Sequence, residues 1–268
     1  MYSFLSICIF ALLFQVQGSW ARDARPGEFP YQADVVQTLR NGEYLYLCAG
    51  AILNQRYIIT IAFLVELYPQ SSLRVLAGSN DLNSPSNVYY KVDKIRSYYE
   101  NSYNFTIISR NNIALVRIQT RFTFNAKIQP ITISNQDIVD GETLTTSARR
   151  NPYDPNYVSR LQVLLGNGVK DNDDCGALAK RDVDDVKELF CLRQNRKDIG
   201  NDNLPPFSYQ GGPIVGAKRQ LKGILLVSLN SIPDGKVVGI GLRAFRYRQF
   251  IYETINEGQA ICNGDIKN

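Results

Sequence analysis

The chain is dominated by short runs of β-branched and aromatic residues, and turn residues separate these runs from one another. This pattern is typical of many short strands and few helices. The strand candidates are residues 35–39, 44–47, 51–53, 57–61, 73–77, 88–95, 113–118, 160–165, 223–229 and 236–241. The dipeptide Asn41-Gly42 favours the positive φ angles of a tight hairpin between the first two runs. Apolar residues recur at helical spacing in 245–256, which predicts a terminal amphipathic helix.

The amino-terminal segment 1–18 is almost wholly apolar from Phe4 to Phe14 and carries no charged side chain. We predict that it is a secretory signal peptide and that the mature chain begins near Ser19. A membrane anchor is the alternative, but the apolar run is shorter than the roughly 20 residues that a spanning helix needs. We therefore expect a secreted, extracellular protein with no membrane segment in its mature form.

Composition and charge narrow the classes of function. Hydrophobic residues make up 44% of the 268 residues, which is enough for a sizeable core. Lys and Arg number 30 against 25 Asp and Glu, and the net charge of +5 is too small to indicate nucleic-acid binding. The basic residues are densest at Arg149-Arg150 and at 243–248. We interpret both of these basic segments as solvated surface, and the alternative is a binding site for an anionic partner.

The chain contains no histidine, so any mechanism that needs an imidazole base is excluded. The cysteines that follow the predicted signal peptide are Cys48, Cys175, Cys191 and Cys262. They allow three disulfide connectivities. Because none lies in a C-x-x-C pair and histidine is absent, we expect no structural zinc, other metal or cofactor. The sequon that begins at Asn104 is a predicted glycan site.

Motifs occur in a fixed order along the chain. Each segment, with the pattern it resembles, is 26–32 (P-G-x-F-P-Y-Q), 48–53 (C-G-G-S-I-L), 57–62 (W-V-L-T-A-A), 111–116 (N-D-I-A-L-I) and 210–213 (S-G-G-P). In this order they resemble the chymotrypsin/trypsin family of serine proteases, peptidase S1, from about Ala24 to about Glu257. The resemblance implies an all-β fold of two six-stranded antiparallel β-barrels, packed orthogonally, with a C-terminal α-helix. The resemblance divides the chain into a first barrel at about 24–121, a linker at about 122–132, a second barrel with the helix at about 133–257, and a tail at 258–268.

The same resemblance assigns residues of this chain to the positions of a catalytic triad. Phe63 stands where the family has its histidine base, Asn112 where it has a buried aspartate, and Gln210 where it has the nucleophilic serine. A phenyl ring accepts no proton, and an amide offers neither a proton near neutral pH nor useful nucleophilicity. We therefore expect no catalytic residues, and these three positions are vestigial.

Two further positions depart from the family pattern. Ser208 stands at the oxyanion-hole position, where the family has glycine, whose backbone is freer. Tyr209 stands at the activation-pocket position, where the family has an acidic residue that pairs with a freed amino terminus. The residues at Ser19-Trp20 do not resemble that terminus, so no zymogen switch is expected. We expect the Tyr209 ring to fill the pocket, with an exposed aromatic patch as the alternative.

The resemblance also implies a disulfide between Cys175 and Cys191. Cys48 stands where the family has a half-cystine, but the partner position is Leu64 in this chain. Cys48 is therefore expected to be a buried free thiol, and pairing with Cys262 is the alternative.

The function that this resemblance implies is that of a secreted, catalytically inactive serine protease homologue, a kind of protein that is common among arthropods. Such a protein acts by binding an extracellular protein partner, as a decoy, a cofactor or a regulator of extracellular proteolysis, immunity or reproduction. One alternative is a hydrolase with relocated chemistry, for instance a lysine-activated Ser208. The other is a small-ligand carrier that uses the emptied pocket.

Overall fold

The computed structural model describes residues 21–98, 109–150, 152, 159–170, 187–194, 209–229 and 237–264. The strands in this part of the chain are β1 (Ala21–Asp23), β2 (Gln32–Thr38), β3 (Tyr44–Ile52), β4 (Tyr57–Thr60), β5 (Leu73–Ala77), β6 (Tyr89–Ser97), β7 (Ala114–Ile118), β8 (Thr143–Ala148), β9 (Gln162–Val169), β10 (Leu189–Gln194), β11 (Pro213–Gly216), β12 (Leu221–Leu229) and β13 (Val237–Arg243). The helices are α1 (Ala62–Glu66) and α2 (Arg248–Gly264), with 3-10 turns at Gln70–Ser72 and Ala244–Tyr247.

The first barrel is a closed antiparallel ring in the order β2-β3-β4-β7-β6-β5. The predicted hairpin between β2 and β3 is confirmed, with the Leu39 N–H donating to the Glu43 carbonyl at 2.8 Å. Gly42 has a φ of 84°, and Asn41 instead supplies its side-chain oxygen, which accepts the Glu43 N–H at 3.1 Å. The turn therefore uses the glycine for conformation and the asparagine for hydrogen bonding.

The second barrel is closed by the pairing of β8 with β9, which completes the ring β9-β10-β13-β12-β11-β8. Strand β1 adds to β9 outside this ring, with Ala21 opposite Leu164 and Asp23 opposite Gln162. The same stretch of β9 pairs with β8, so β1 and β8 must lie on opposite edges of it. The predicted fold of two six-stranded antiparallel barrels with a C-terminal helix is confirmed. The sequence did not predict β1, which joins the amino-terminal segment to the second barrel.

One of the clusters of buried apolar side chains continues through both barrels. From the first barrel it includes Val35, Ile59 and Leu115, and from the second barrel Ile224 and Leu242. Full burial of one such side chain stabilises a fold by roughly 1.5–3 kcal/mol. The barrels therefore share an apolar interior across their contact.

The C-terminal helix α2 packs one face against the first barrel. Ile251 and Thr254 are buried, Tyr252 is exposed, and the Tyr57 hydroxyl donates to the Thr254 carbonyl at 3.3 Å. The helix continues to Gly264, through most of the predicted tail at 258–268. In the part of the chain that the structure describes, no helix combines the length and the apolar composition that crossing a bilayer requires.

The two segments densest in basic residues were predicted to be solvated surface. This prediction is wrong for Arg149 and Arg243, which are buried. Their exposed fractions are 0% and 2%. The Arg243 guanidinium bonds to the Asp137 carboxylate at 2.6 Å and to two backbone carbonyls. A guanidinium can be buried when its five N–H donors find acceptors in this way. Arg246 and Arg248 are exposed, as predicted.

Several predictions fall on segments outside the described residues. They concern the signal peptide at 1–18, the glycan site at Asn104, the oxyanion-hole position Ser208, and Cys175. These stay predictions.

Candidate functional site

The pairing of β4 with β7 brings Phe63 and Asn112 together. Phe63 follows β4 in α1, Asn112 lies two residues before the start of β7, and Thr60 pairs with Ala114. The Phe63 N–H donates to the Asn112 side-chain oxygen at 2.8 Å. The first backbone N–H groups of a helix lack intrahelical partners, so the buried Asn112 amide satisfies one of them at the start of α1.

The loop that contains Gln210 is a tight turn, and two of its residues have positive φ angles. Tyr209 has a φ of 65° and Gly211 a φ of 78°. The Gly211 N–H donates to the Leu225 carbonyl at 2.7 Å, and the Gly212 N–H donates to the Tyr209 carbonyl at 3.1 Å. A β-carbon at position 211 would lie 2.0 Å from the Ala49 carbonyl oxygen. Only glycine fits there, because the turn passes this close to the backbone of the first barrel.

Ala49 of β3 links the Gln210 loop to the strand that leads to Phe63. Its N–H donates to the Gln210 carbonyl at 2.8 Å, and its own carbonyl accepts the Thr60 hydroxyl at 2.5 Å. Thr60 ends β4, three residues before Phe63. Two hydrogen bonds therefore connect Gln210 to β4, the strand that precedes Phe63, at the contact between the two barrels.

The side chains at these positions have no acid–base chemistry near neutral pH. Asn112 and Gln210 carry carboxamides, and Phe63 carries a phenyl ring. The Gln210 side chain is 7% exposed, and its Nε2 is a buried donor without a hydrogen-bond partner in the described part of the chain. An unmade bond of this kind costs roughly 1–3 kcal/mol.

Among the described residues, no group of three or more Cys, Asp or Glu side chains is placed to hold a metal ion.

Tyr209 is buried, so the alternative of an exposed aromatic patch is wrong, and the filling of the activation pocket by its ring stays a prediction. It is 1% exposed and packs in an apolar cluster with Leu144, Phe190 and Ile214. The Arg150 Nε donates to the Tyr209 hydroxyl at 3.1 Å.

A buried polar network beside this loop was missed by the sequence analysis. The Arg149 Nε donates to the Asp34 carboxylate at 2.9 Å, and both side chains are almost wholly buried. Gln32 bonds to Asp34 at 3.0 Å and accepts the Ser147 hydroxyl at 2.8 Å. Gln32 and Asp34 belong to the first barrel, whereas Ser147 and Arg149 belong to the second. The signal that could have revealed it is the single carboxylate at position 34 within an otherwise uncharged strand, since a buried carboxylate needs a cation.

Cys48 is a buried free thiol, as expected, and the alternative of a disulfide with Cys262 is wrong. Its sulfur lies 3.3 Å from the Thr60 hydroxyl oxygen. Burial raises the pKa of the Cys48 thiol to about 12, against a weaker lowering by the Thr60 hydrogen bond. Cys191 is buried and disulfide-bonded. Because Cys175 lies outside the described residues, the pairing of Cys175 with Cys191 stays a prediction.

An apolar cavity opens on the second barrel. It holds about 370 Å³ of empty space, part of which is open to solvent. The residues that line it are Leu144, Thr146, Leu164, Leu165, Gly166, Leu192, Arg193, Leu225, Ser228 and Gly239. Thr146 is buried and its hydroxyl has no hydrogen-bond partner within the described ranges.

Comparison with known proteins decides the family. Residues 19–251 match the family model described as Trypsin. The chain belongs to the trypsin family.

Individual relatives of this trypsin-family chain are similar over part of their length. Coagulation factor IX of Cavia porcellus is 29% identical over 200 residues, which are 74% of this chain and 63% of that protein. The protein named inactive serine protease scarface, of Drosophila melanogaster, is 30% identical over 131 residues, which are 47% of this chain and 19% of that protein. The chain thus spans less than two thirds of the length of these curated relatives.

A solved structure shares the fold of this chain. It is neuropsin, a serine protease expressed in the limbic system of mouse brain. The match has a TM-score of 0.68 at 21% identity and covers 88% of this chain and 98% of that one. At this identity the similarity shows the fold alone.

Proposed function

We propose that this protein is a catalytically inactive member of the trypsin family that acts by binding another extracellular protein. One observation carries the proposal. The chain has no histidine anywhere, and the positions that resemble the family's triad hold Phe63, Asn112 and Gln210.

The proposed inactivity follows from the chemistry of those side chains. The family mechanism needs a base that takes the proton of the nucleophile and a carboxylate that stabilises the resulting cation. Neither the phenyl ring of Phe63 nor the carboxamides of Asn112 and Gln210 can fill these roles. Loss of a triad member lowers the rate by about 10⁴-fold or more. The hydrogen bond from Phe63 to Asn112 supports the proposal, because it gives the asparagine a structural role at that position.

The proposed location and role rest on the sequence. Segment 1–18 reads as a signal peptide and Asn104 as a glycan site, so the protein is proposed to work outside the cell. There it acts as a decoy, a cofactor or a regulator of extracellular proteolysis, immunity or reproduction. Recognition by such a protein resides in loops that a rigid scaffold positions, and the two barrels provide that scaffold. A relative named as an inactive serine protease is compatible with this class.

The catalytic half of the proposal is tested with a fluorophosphonate probe and a fluorogenic peptide library. We expect no covalent labelling and no peptide turnover, whereas an active trypsin in the same buffer gives both. The Gln210→Ser variant restores a hydroxyl without a base, and it should also remain unlabelled. Labelling of the native protein that the Ser208→Ala variant abolishes would establish relocated chemistry and overturn the proposal.

The binding half is tested separately. The immobilised protein is exposed to the extracellular fluid of its source, each retained protein is purified, and its affinity is measured by calorimetry. Saturable binding of one extracellular protein, unchanged in the Gln210→Ser variant, is the expected result. If every purified candidate fails to bind, the binding role is contradicted while the inactivity stands.

The cavity on the second barrel favours a second candidate function, that of a small-ligand carrier. Five leucines line it, and an apolar lining of this kind is typical of ligand pockets. Small apolar ligands should raise the unfolding temperature of the native protein. Leu165 lies at the exposed rim, so Leu165→Trp should remove this shift, whereas Val139→Trp, at an exposed position that does not line the cavity, should keep it. Equal shifts in both variants would exclude this site.

A further inference from the structure

The turn at Tyr209 has a backbone conformation that a bulky residue rarely adopts. Its φ of 65° lies in the left-handed region, which mainly glycine and asparagine occupy. Such a conformation persists only where the surroundings determine it. The contacts of Tyr209 and its neighbours therefore show what holds the loop.

The first restraint on the loop is Arg150. Its Nε donates to the buried Tyr209 hydroxyl at 3.1 Å. The ring of Tyr209 is enclosed by apolar side chains of the second barrel, so the hydroxyl is the polar end of a buried group. Buried hydroxyls need hydrogen-bond partners, and the guanidinium supplies a charged one.

The second restraint is Arg149, which fixes the backbone next to Arg150. Its guanidinium is wholly buried and bonds to the Asp34 carboxylate. It also donates to the backbone carbonyls of Ser79, Asn80 and Ser159. A planar group with this many fixed acceptors holds one orientation, so the chain at 149–150 is anchored to the first barrel.

The contacts of Arg149 and Arg150 connect back to the loop through Asp34 and Ala49. Asp34 stands opposite Ala49 in the pairing of β2 with β3. Ala49 donates its N–H to the Gln210 carbonyl, directly after Tyr209. Asp34, Arg149, Arg150, Tyr209, Gln210 and Ala49 therefore form a closed circuit across the contact between the barrels, which we name the arginine clamp.

We propose that the arginine clamp sets the conformation of the loop at 209–213 through folding alone. No amino terminus created by cleavage is needed to order this loop. The buried conformation of this loop is then present as soon as the chain has folded, without a processing step. The inference rests on the contacts of the clamp and stands whether or not the protein proves to be inactive.

The clamp is tested by residue-resolved amide hydrogen exchange at Ala49, Gly211 and Leu225, whose N–H groups hold the loop. The variants are Arg150→Met, Tyr209→Phe and the double variant, with Arg246→Met as the matched control at an exposed arginine. Each single clamp variant should speed exchange at these amides about tenfold, the effect of losing one charge-assisted hydrogen bond. The double variant should show less than the sum of the two single effects, because both changes remove the bond between Arg150 and Tyr209.

Amides between β6 and β7 should keep their exchange rates in every variant, since the clamp does not touch these strands. Unchanged exchange at Gly211 in Arg150→Met would overturn the proposal. So would additive effects in the double variant.

A second measurement uses the amino terminus itself. A chain that begins at Ser19 is compared with one that carries a short extension before Ser19. The clamp predicts identical exchange at Ala49, Gly211 and Leu225 in the two forms. Faster exchange in the extended form would show that a free terminus orders the loop, and the proposal would fail.

Discussion

At the residue scale, the charged side chains with the most structural consequence are buried ones. Arg149 and Asp34 bond to each other across the two barrels, with side chains 0% and 2% exposed. Sequence patterns assign charges to the surface, because unpaired burial is too unfavourable to expect. This pair can be buried because each charge has an opposite charge and further hydrogen bonds. The sequence did not reveal it, because the two residues lie far apart in the chain.

Removing one member of this pair should destabilise the protein strongly. Arg149→Met leaves the Asp34 carboxylate buried without its cation, and we expect the free energy of unfolding to fall by about 3–5 kcal/mol. Urea denaturation monitored by far-ultraviolet circular dichroism measures this change. Arg160→Met removes an arginine from the exposed pair with Asp23 and should leave the midpoint nearly unchanged. A similar small effect for both variants would contradict the importance of the buried pair.

The Cys48 thiol should be inert in the folded protein. With a pKa of about 12, only roughly one thiol in ten thousand is ionised at pH 8, and the group is also shielded from solvent. In a Cys262→Ser background, a thiol-specific disulfide reagent at pH 8 should label Cys48 only after denaturation. The same background with Cys48→Ala identifies the labelled site. Rapid labelling of the native protein at Cys48 would be inconsistent with its burial.

At the element scale, most apolar β-branched runs were predicted as strands, whereas β1, β8, β10, β11 and helix α1 were not predicted. The prediction for β5 at 73–77 matches the strand. The separate predictions at 44–47 and 51–53 are wrong in one respect, since both belong to the single strand β3, and the other predicted runs each coincide with a strand to within a few residues at their ends. Strand β8 was missed because Thr143–Ala148 is mostly threonine and serine, although Thr146 and Ser147 are buried by the closure of the barrel. Helix α1 was missed because a five-residue segment shows less than two helical turns of pattern.

The pairing of β1 with β9 should weaken in acid. Hydrogen bonds from Arg160 and Gln162 lower the pKa of Asp23 below its ordinary value of 3.8. A carboxylate whose pKa is lowered by folding contributes its full stabilisation above that ordinary value and loses it as the pH falls through the folded pKa. The protection of the Ala24 N–H, which donates to the Leu161 carbonyl at 2.8 Å, should therefore fall below about pH 4.

The matched control for this acid effect is Asp23→Asn, which removes the titrating group. Protection of the Ala24 amide in that variant, corrected for intrinsic exchange, should be lower at neutral pH and should change less with acidification. An unchanged acid response in the variant would assign the effect to other carboxylates, such as Asp81.

At the scale of the whole molecule, the resemblance to a family supplied the order of the barrels and the positions of the site. Phe63 and Asn112 are far apart in the sequence, and only the pairing of β4 with β7 brings them into hydrogen-bond contact. Position 210 could be aligned from its Gly-Gly-Pro context, but its contact with Ala49 could not be predicted. That contact depends on how the two barrels meet, which no local pattern encodes.

The two barrels should unfold as one unit. A single apolar cluster runs through both, and the buried network of Gln32, Asp34, Ser147 and Arg149 joins them. Scanning calorimetry of the native protein should show one transition whose calorimetric and van't Hoff enthalpies agree. The Arg149→Met variant should have a lower transition temperature but still a single transition, because the apolar cluster remains. Two resolved transitions in the native protein would show that the halves are thermodynamically independent.

The salt bridge between Asp34 and Arg149 also constrains how this chain can be recombined with its relatives. A chimera that took the first barrel from this protein would inherit a buried anion, and its second barrel would have to supply a cation where Arg149 lies. Without such a cation, position 34 would have to be neutralised at the same time as the swap.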